Sequence, residues 1–478
     1  MMKPVFASLM GALTLLCVGL THPAPARGQE RPAVDPEYRL ESRSPRLFLT
    51  ARRLRLLRRE RERQSMRWEQ FHLLMQGGAR MPEPGFAKAL YSKVLQDPAP
   101  CAEALAWAAR TANEADPAEL RQVALVYDWC QEASGHAAER ASIVTKLTES
   151  LDPKPADIRW IRARTLAAVA GFDSAPGRAS AYLKFVVETW WRREYAPALL
   201  AGDSIFLRRE DVFSLVEILH AVRDNLNIDL RDDAAKWFDE LPSVLLLAYY
   251  PATWPAPENE YRIPVYVGQS EPNLRIAALA RAAEMGLTAL DANPVSHQFL
   301  QGWLMQDRFA LKSAFGAPYE FLWANPYQPG LSFHYMPDVY HGFGRLLMRS
   351  TWDEDAAWFG YFDGQAQTFE NGQRAQVRLA RGSKPLTLGV SRILVAETPL
   401  KFEAGLLPEP VESGPRKIEE HVFLVGLKPK QRYDVEVDNE EMFEAIADAG
   451  GIVELKFPPG RKVAVRIKET RVSAVGLR

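Results

Sequence analysis

Residues 296–312 read SHQFLQGWLMQDRFALK, and residues 346–362 read LLMRSTWDEDAAWFGYF. In the first stretch the apolar residues recur every three or four positions, which is the period of a helix that buries one face. In the second stretch, short apolar runs are separated by turn-forming and acidic residues, as in consecutive strands. The change of period near residue 330 predicts a helical part of the chain that is followed by a β part.

The same two patterns extend to either side of this change. We predict helices at residues 50–77, 102–113, 120–132, 157–170, 179–193, 209–225, 232–249, 271–284 and 296–312, and Thr50 is expected to cap the first of them. We predict strands at residues 345–349, 357–362, 376–379, 421–425, 433–437, 452–457 and 463–467. Consecutive strands with no helix between them favour an antiparallel sandwich. We therefore expect a helical domain at residues 27–330 and a β-sandwich domain at residues 340–478.

Composition excludes several classes of protein. Of the 478 residues, 47% are hydrophobic and 25% are charged, which is typical of a globular protein and excludes disorder. The formal net charge is −1, so we expect no nucleic-acid partner. No P-loop, dinucleotide-binding glycine motif, G-x-S-x-G elbow or H-E-x-x-H motif occurs, and we expect neither a cofactor nor a bound metal.

The N-terminus has the pattern of a secretory signal peptide. Lys3 precedes an apolar run at residues 5–20, and Ala24-Pro25-Ala26 has the small-x-small form of a cleavage site. We expect cleavage after residue 26 and a periplasmic or secreted protein that is not inserted in a membrane. The alternative is a membrane anchor, although the run is short for a full span. Cys101 and Cys130, on neighbouring predicted helices, are either bridged or free thiols.

Residues 207–231 are the helical segment that is richest in candidate catalytic groups. Glu217, His220 and Asp224 lie at i, i+3 and i+7, on one face of a helix. A carboxylate beside an imidazole raises its basicity, which suits a general base. Arg223 and Asn225 are placed to bind a carboxylate or a sugar hydroxyl. The alternative is a solvated charged stripe, or a buried histidine that is paired with a glutamate.

Residues 249–268, YYPATWPAPENEYRIPVYVG, suit sugar binding because they combine aromatic faces with hydrogen-bonding groups. Tyr261, or Tyr266 as a second choice, is a candidate proton donor if a neighbouring cation lowers its pKa. The predicted substrate-binding residues of this segment are Trp254, Glu260, Arg262 and Tyr266. The alternative is a rigid connection whose aromatic rings lie in the core.

Residues 332–344, SFHYMPDVYHGFG, lie at the predicted domain junction. Clefts between domains are favoured binding sites, so His334 and His341 are further candidates for substrate binding. The alternative is a linker with packed aromatic residues.

Three short motifs occur in a recognisable order along the chain. They are PRLFLT at residues 45–50, ALVYDW at residues 124–129 and LMRSTWDE at residues 347–354. This order resembles the heparinase II/III-like and alginate lyase families of polysaccharide lyases. The resemblance implies a multidomain α-then-β protein, in which an incomplete (α/α) toroid is followed by an antiparallel β-sandwich. It also implies β-elimination of glycans that contain uronic acids.

The resemblance assigns roles to particular residues. His220 would be the base or would neutralise the substrate carboxylate, and Tyr261, 41 positions later, would donate the proton. The chemistry of elimination adds a group that stabilises the developing negative charge, and Arg223, Arg262 or Asn225 would supply it. The chain departs from the family pattern at Gln365-Ala366-Gln367, where the family has His-x-His. Glutamine cannot accept a proton near neutral pH, so the site differs from the family's site.

Three functions are consistent with these patterns. The first is a polysaccharide lyase whose partner is an acidic polysaccharide or oligosaccharide. The second is a non-catalytic glycan-binding protein on the same fold. The third is a toroid glycoside hydrolase that uses two facing carboxyl groups; the candidates are Glu210, Glu217, Asp224, Glu258 and Glu260.

Overall fold

The computed structural model describes residues 35–40, 44–111, 116–202, 211–252, 274–306, 311–362, 364–378, 384–407 and 419–470. The predicted signal peptide lies outside these residues, and export stays a prediction. Among the described residues, no helix combines the length and the apolar character that a membrane span requires.

The first part of the described chain is helical. Its helices are α1 (Ala51–Glu62), α2 (Met66–Gln76), α3 (Pro84–Leu95), α4 (Ala99–Arg110), α5 (Pro117–Trp129), α6 (Ala137–Glu149), α7 (Ile158–Ala170), α8 (Pro176–Lys184), α9 (Ala196–Leu200), α10 (Val212–Leu226), α11 (Ala235–Leu247), α12 (Leu274–Leu290), α13 (Val295–Leu304) and α14 (Ala317–Trp323). A π-helical stretch, Phe185–Tyr195, joins α8 to α9.

Six of these helices form an inner ring. Along the ring α3 packs on α5, α5 on α7, α7 on α10, α10 on α12 and α12 on α14, and α14 returns to α3. The close approach of α10 and α12 requires Gly286, because a Cβ there would lie 2.5 Å from Val216 Cγ1. Helices α4, α6 and α8 pack on their sequence neighbours, α13 packs on α12, and α11 packs on α13.

The strands follow the helices, as predicted. They are β1 (Val339–Gly342), β2 (Arg345–Arg349), β3 (Trp358–Phe362), β4 (Gln365–Glu370), β5 (Gln373–Val377), β6 (Leu386–Leu388), β7 (Ser391–Val395), β8 (Leu400–Ala404), β9 (Glu420–Val425), β10 (Arg432–Val437), β11 (Glu441–Ile446), β12 (Val453–Phe457) and β13 (Val463–Glu469). Their sheet orders are β1-β2-β3-β4-β5, β11-β10-β13-β8 and β12-β9-β7-β6. The described pairs are antiparallel except β7 with β9. The predicted fold class, helical ring then antiparallel sheets, is confirmed.

The prediction of helices succeeded in some places and failed in others. Thr50 caps α1, as predicted, by accepting a hydrogen bond from the Arg53 N–H. The predicted helix at residues 50–77 is wrong in one respect, because Gln64 has a φ of 50° and Ser65 caps a second helix, α2. Helices α3, α6, α9 and α14 were not predicted from the sequence.

Side chains at the junction join the helical part to the sheets. The Trp358 indole donates to the Leu247 carbonyl at 2.7 Å, and the Tyr340 hydroxyl donates to Glu240 at 2.9 Å. Within the helical part, a disulfide joins Cys101 of α4 to Cys130 at the end of α5. The structure therefore contains the bridged form of this cysteine pair.

Candidate functional site

The starts of five ring helices surround a pocket of about 480 Å³, which we call the ring pocket. The lining residues come from the first turns of α5, α7, α10, α12 and α14 and from Glu83 ahead of α3. Helix N-termini carry partial positive charge, so their convergence favours a ligand with anionic or electron-rich oxygens. The described residues that line it are Glu83, Asp116, Pro117, Ala118, Asp157, Arg159, Trp160, Arg162, Phe213, Ser214, Arg275, Ile276, Leu279, Phe315 and Tyr319.

Two of the acidic residues at the rim already serve as helix caps. Asp116 accepts hydrogen bonds from the N–H groups of Ala118 and Glu119 at the start of α5. Asp157 accepts from the N–H groups of Arg159 and Trp160 at the start of α7. Because these carboxylates are already hydrogen-bonded to backbone, and Asp157 also lies 3.5 Å from Arg159 Nε, Arg162 and Arg275 are the charged groups best placed to bind a ligand.

A network of buried charges lies beneath the pocket. Arg121 of α5 donates two hydrogen bonds to Glu217 of α10, at 2.7 and 2.6 Å, and both side chains are fully buried. Arg162 of α7 lies 3.4 Å from Glu217 Oε2, the oxygen that also accepts from Arg121 Nε. Arg121 lies 3.4 Å from Glu83 as well. The Tyr319 hydroxyl donates to Glu83. Three arginine and glutamate contacts therefore tie the ring together across its centre.

Burial and the neighbouring charges decide the protonation of this network. Burial would lower the pKa of Arg121, but Glu217, Tyr319 and Glu83 raise it above its ordinary value. Burial lowers the pKa of Arg162, and Glu217 opposes that change. Burial also raises the pKa of Tyr319 well above 10, which Arg121 opposes and Glu83 reinforces. Tyr319 is therefore a protonated hydrogen-bond donor at neutral pH.

Arg162 is the arginine of the network that also lines the pocket. Its side chain is 8% exposed, and its buried Nε has no hydrogen-bond partner among the described residues. A buried donor without a partner carries a desolvation cost, which a ligand oxygen would relieve. The sequence signal that was missed is an arginine on the otherwise apolar buried face of α7, next to Ile161 and Thr165.

The structure places His220 in the core of the helical part. Its Nε2 lies 2.9 Å from the Gly286 carbonyl, and its ring is 4.7 Å from that of Trp323. Burial lowers its pKa, although a hydrogen bond with Asp224 opposes this. His220 is 2% exposed and does not line the ring pocket. Its predicted catalytic role stays a prediction.

The side chains of Arg223 and Asn225, which were predicted to bind substrate beside His220, form hydrogen bonds with other parts of the protein. Arg223 donates to Asp224 at 2.8 Å and to the Leu290 carbonyl at 2.6 Å. Asn225 donates to the Arg46 carbonyl at 3.1 Å. Neither of these two residues lines the ring pocket.

The motifs at residues 45–50 and 124–129 contact each other. Asp128 accepts hydrogen bonds from the N–H groups of Arg46 and Leu47, and the Trp129 indole donates to the Leu47 carbonyl at 2.8 Å. Because Asn225 binds the Arg46 carbonyl, the segment is fixed from two helices. The physical role of these motifs is to hold the chain ahead of α1 against the ring.

Five predicted site residues lie outside the described part of the chain, within residues 253–273. They are Trp254, Glu260, Tyr261, Arg262 and Tyr266, and Glu210 and Glu258 lie outside it as well. Their roles stay predictions. In the sequence, residues 253–273 directly precede α12, whose Arg275 and Ile276 line the ring pocket.

The two glutamines that replace the family's histidines have different surroundings. Gln367 is fully buried and accepts a hydrogen bond from the Tyr250 hydroxyl at 3.0 Å, across the junction between helices and strands. Gln365, at the start of β4, is exposed. Among the described residues, no group of three or more His, Cys, Asp or Glu side chains is arranged to hold a metal.

The two junction histidines do not line the ring pocket. His334 is exposed and stacks on Phe333, with 4.4 Å between the ring centroids. His341 of β1 lies between two carboxylates, with Nε2 3.3 Å from Asp448 and Nδ1 3.3 Å from Glu454. Glu454 also contacts His421 Nδ1 at 2.7 Å. These contacts join β1 to β9 and β12, which belong to another sheet.

We expect the stability of the protein to fall as the pH rises from about 6.5 to about 9. Burial lowers the pKa of His341, but Asp448 and Glu454 raise it overall from 6.5 to about 9. Because His341 is protonated more readily in the folded protein, it stabilises the fold fully below pH 6.5, and this stabilisation is lost as the pH rises to about 9. The His341 hydrogen bond lowers the pKa of Glu454 from 4.5 to about 2, so that contribution is lost only in acid.

Urea unfolding across this pH range measures the effect, and His341→Asn should flatten the alkaline decline. His334→Asn, which changes an exposed histidine, is the matched control and should leave the decline in place. An identical decline in His341→Asn and the wild type would contradict the assignment.

The chain shows little similarity to known proteins. No family model matches the chain, and no curated protein matches it. A solved structure named "Glycoside hydrolase" has 9% sequence identity and a TM-score of 0.28, over 81% of this chain and 71% of that chain. The likeness is too weak to indicate a fold or an activity for this chain.

Proposed function

We propose that the protein is carbohydrate-active and binds a glycan, with acidic groups, in the ring pocket. The observation that carries the proposal is Arg162, a buried arginine at the pocket whose Nε has no described partner. A guanidinium group binds a carboxylate or paired hydroxyl oxygens through its planar fork of N–H donors. Arg159 and Arg275 add two further cations at the same opening.

The apolar surfaces in the pocket suit the other side of a sugar ring. Trp160 and Phe315 line the pocket together with Tyr319. The guanidinium carbon of Arg275 lies 5.2 Å from the centre of the Phe315 ring, which places a cation beside an aromatic face. A polar ring with apolar C–H faces requires this mixture of charged donors and aromatic surfaces.

Arg162→Gln is expected to weaken binding of an acidic oligosaccharide by roughly 10- to 150-fold. The reason is that a hydrogen bond to a charged group contributes about 1.5–3 kcal/mol. Isothermal titration calorimetry measures the change in affinity. The acidic ligands are oligogalacturonate, oligoalginate, heparin and chondroitin oligosaccharides, and a neutral cello-oligosaccharide serves for comparison.

Arg275→Gln is the second test, because Arg275 is exposed and its loss leaves the buried network intact. Arg110→Gln, an exposed arginine away from the pocket, is the matched control. Binding of no glycan by the wild-type protein, or equal affinity in all four proteins, would refute the proposal.

A second candidate function, β-elimination, is favoured by one observation in the same pocket. The Tyr319 hydroxyl donates to Glu83, and Arg121 lies within contact of both groups. Elimination from a uronate requires a neutralised carboxylate, a base and a proton donor. Arg162 would bind the carboxylate, Glu83 would accept the proton and Tyr319 would supply one to the leaving oxygen.

A further inference from the structure

Helix α1 carries an unusual density of positive charge. Its sequence, ARRLRLLRRERE, holds six arginines and two glutamates, and Arg63 follows at the C-cap. The whole chain has a formal net charge of −1, so this density is local. The arginines of α1 fall into two groups with different surroundings.

The first group holds the fold. Arg53 donates to the Leu322 carbonyl at the end of α14, at 3.0 Å. Arg58 donates to the Lys93 carbonyl at 3.3 Å, and Arg61 donates to the Val94 carbonyl at 2.8 Å, both at the end of α3. These arginines satisfy the last carbonyls of ring helices, which have no partner within their own helix.

The second group, Arg52, Arg55, Arg59 and Arg63, is exposed. Spacings of three, four and four residues put them on one face of α1, in a row about 16 Å long. We call this row the arginine stripe. No ion pair joins these four side chains to a carboxylate in the part of the chain that the structure describes. Like charges at i,i+4 destabilise a helix, so the stripe is not explained by helix stability.

An aromatic residue lies against the end of the stripe. The guanidinium carbons of Arg59 and Arg63 lie 5.3 and 5.5 Å from the centre of the Tyr327 ring, and Arg63 donates to its hydroxyl at 3.0 Å. The Tyr327 hydroxyl in turn donates to the buried Glu60 at 2.6 Å. These contacts hold Tyr327 in place, with two arginines ordered over it.

We propose that the arginine stripe is a second binding surface, separate from the ring pocket, for the chain of an acidic polysaccharide. Four guanidinium groups in a row complement a linear polymer whose carboxylates or sulfates recur along its length. The partly exposed ring of Tyr327 offers an apolar face for a sugar. This inference does not rest on glycan binding in the ring pocket.

An anionic membrane is the less favoured partner. A helix that binds a membrane interface presents an apolar face to the lipid. In α1, Leu57 is fully buried and Leu54 packs against the core, and none of the exposed large apolar residues lies within α1. The stripe therefore offers charge without an inserting surface.

The test is fluorescence anisotropy with a labelled heparin oligosaccharide and a labelled oligogalacturonate, at low and at physiological salt. The variant Arg52→Gln/Arg55→Gln/Arg59→Gln/Arg63→Gln should weaken binding of the polyanion at least tenfold. The matched control removes four exposed cations elsewhere, in Arg193→Gln/Lys401→Gln/Lys430→Gln/Arg466→Gln, and should change the affinity less than twofold. Circular dichroism verifies the fold of both variants.

Further arms separate the alternatives. The stripe and control substitutions are therefore also compared in the Arg162→Gln background, where the main cation of the ring pocket is absent and the remaining binding reports on the stripe, so the two proposals fail independently. Equal losses in the stripe and control variants would mean a diffuse charge effect and would overturn the inference. Tighter binding to phosphatidylglycerol vesicles, or to an oligonucleotide of equal charge, than to either polysaccharide would also overturn it.

Discussion

Glu217→Ala is expected to lower the free energy of unfolding by about 3–5 kcal/mol. Glu217 is fully buried and is the shared acceptor for Arg121, at 2.7 and 2.6 Å, and for Arg162, at 3.4 Å. Without it, two guanidinium groups remain buried beside Glu83 alone. Removing one partner of a buried ion pair is costly because the remaining charge has lost both its hydrogen bonds and its hydration.

Chemical denaturation at neutral pH measures this loss. Glu132→Ala is the matched control, because Glu132 pairs with Lys93 at 3.2 Å while its side chain is 86% exposed. Exposed pairs contribute about 0–1 kcal/mol, so the control should stay close to the wild type. Equal destabilisation by the two substitutions would contradict the role given to the buried network.

Tyr319→Phe is expected to lower turnover of a uronate-containing glycan by about 10²- to 10⁴-fold, if the protein catalyses elimination. Burial raises the pKa of Tyr319 well above 10, so the hydroxyl is protonated and donates to Glu83 at neutral pH, and Arg121, which favours the phenolate, is the group that would help it release the proton. A positioned acid contributes to the rate mainly in the transition state. The substitution should therefore lower kcat far more than it weakens substrate binding.

The ultraviolet absorbance of the unsaturated uronate product, followed over the acidic glycan panel, measures this turnover. Tyr335→Phe removes a hydroxyl from a residue that is 83% exposed and serves as the control. Reducing ends without an unsaturated product would indicate hydrolysis and overturn elimination. If the protein binds the glycans but releases no product, elimination is overturned and the pocket binds glycans without catalysis.

Local signals in the sequence were sufficient for the order and type of many elements. The change from period 3.6 to period 2 placed the helices before the strands, because each period reflects which face of an element is buried. The capping residue Thr50 marked the start of α1, whereas α3 and α6 were missed. A signal that depends on near neighbours in the chain can be read from the sequence.

The candidate site depended on contacts that the sequence does not display. Glu217 and His220, three residues apart on α10, were placed together on one face. The structure directs Glu217 to Arg121, 96 positions away, and His220 to Gly286 and Trp323. The packing of helices in the closed ring decides whether a polar side chain contacts a charged residue or an aromatic core.

By itself, the sequence determined that a helical part precedes a β part and that α10 is rich in titratable residues, because periodicity, caps and composition are local properties. The tertiary structure alone decided that Arg162, Tyr319 and Glu83 meet at the starts of the ring helices. It also decided that Asn225 holds the Arg46 carbonyl. The physical reason is that burial and the pairing of charges follow from packing between helices distant in sequence, which no local pattern encodes.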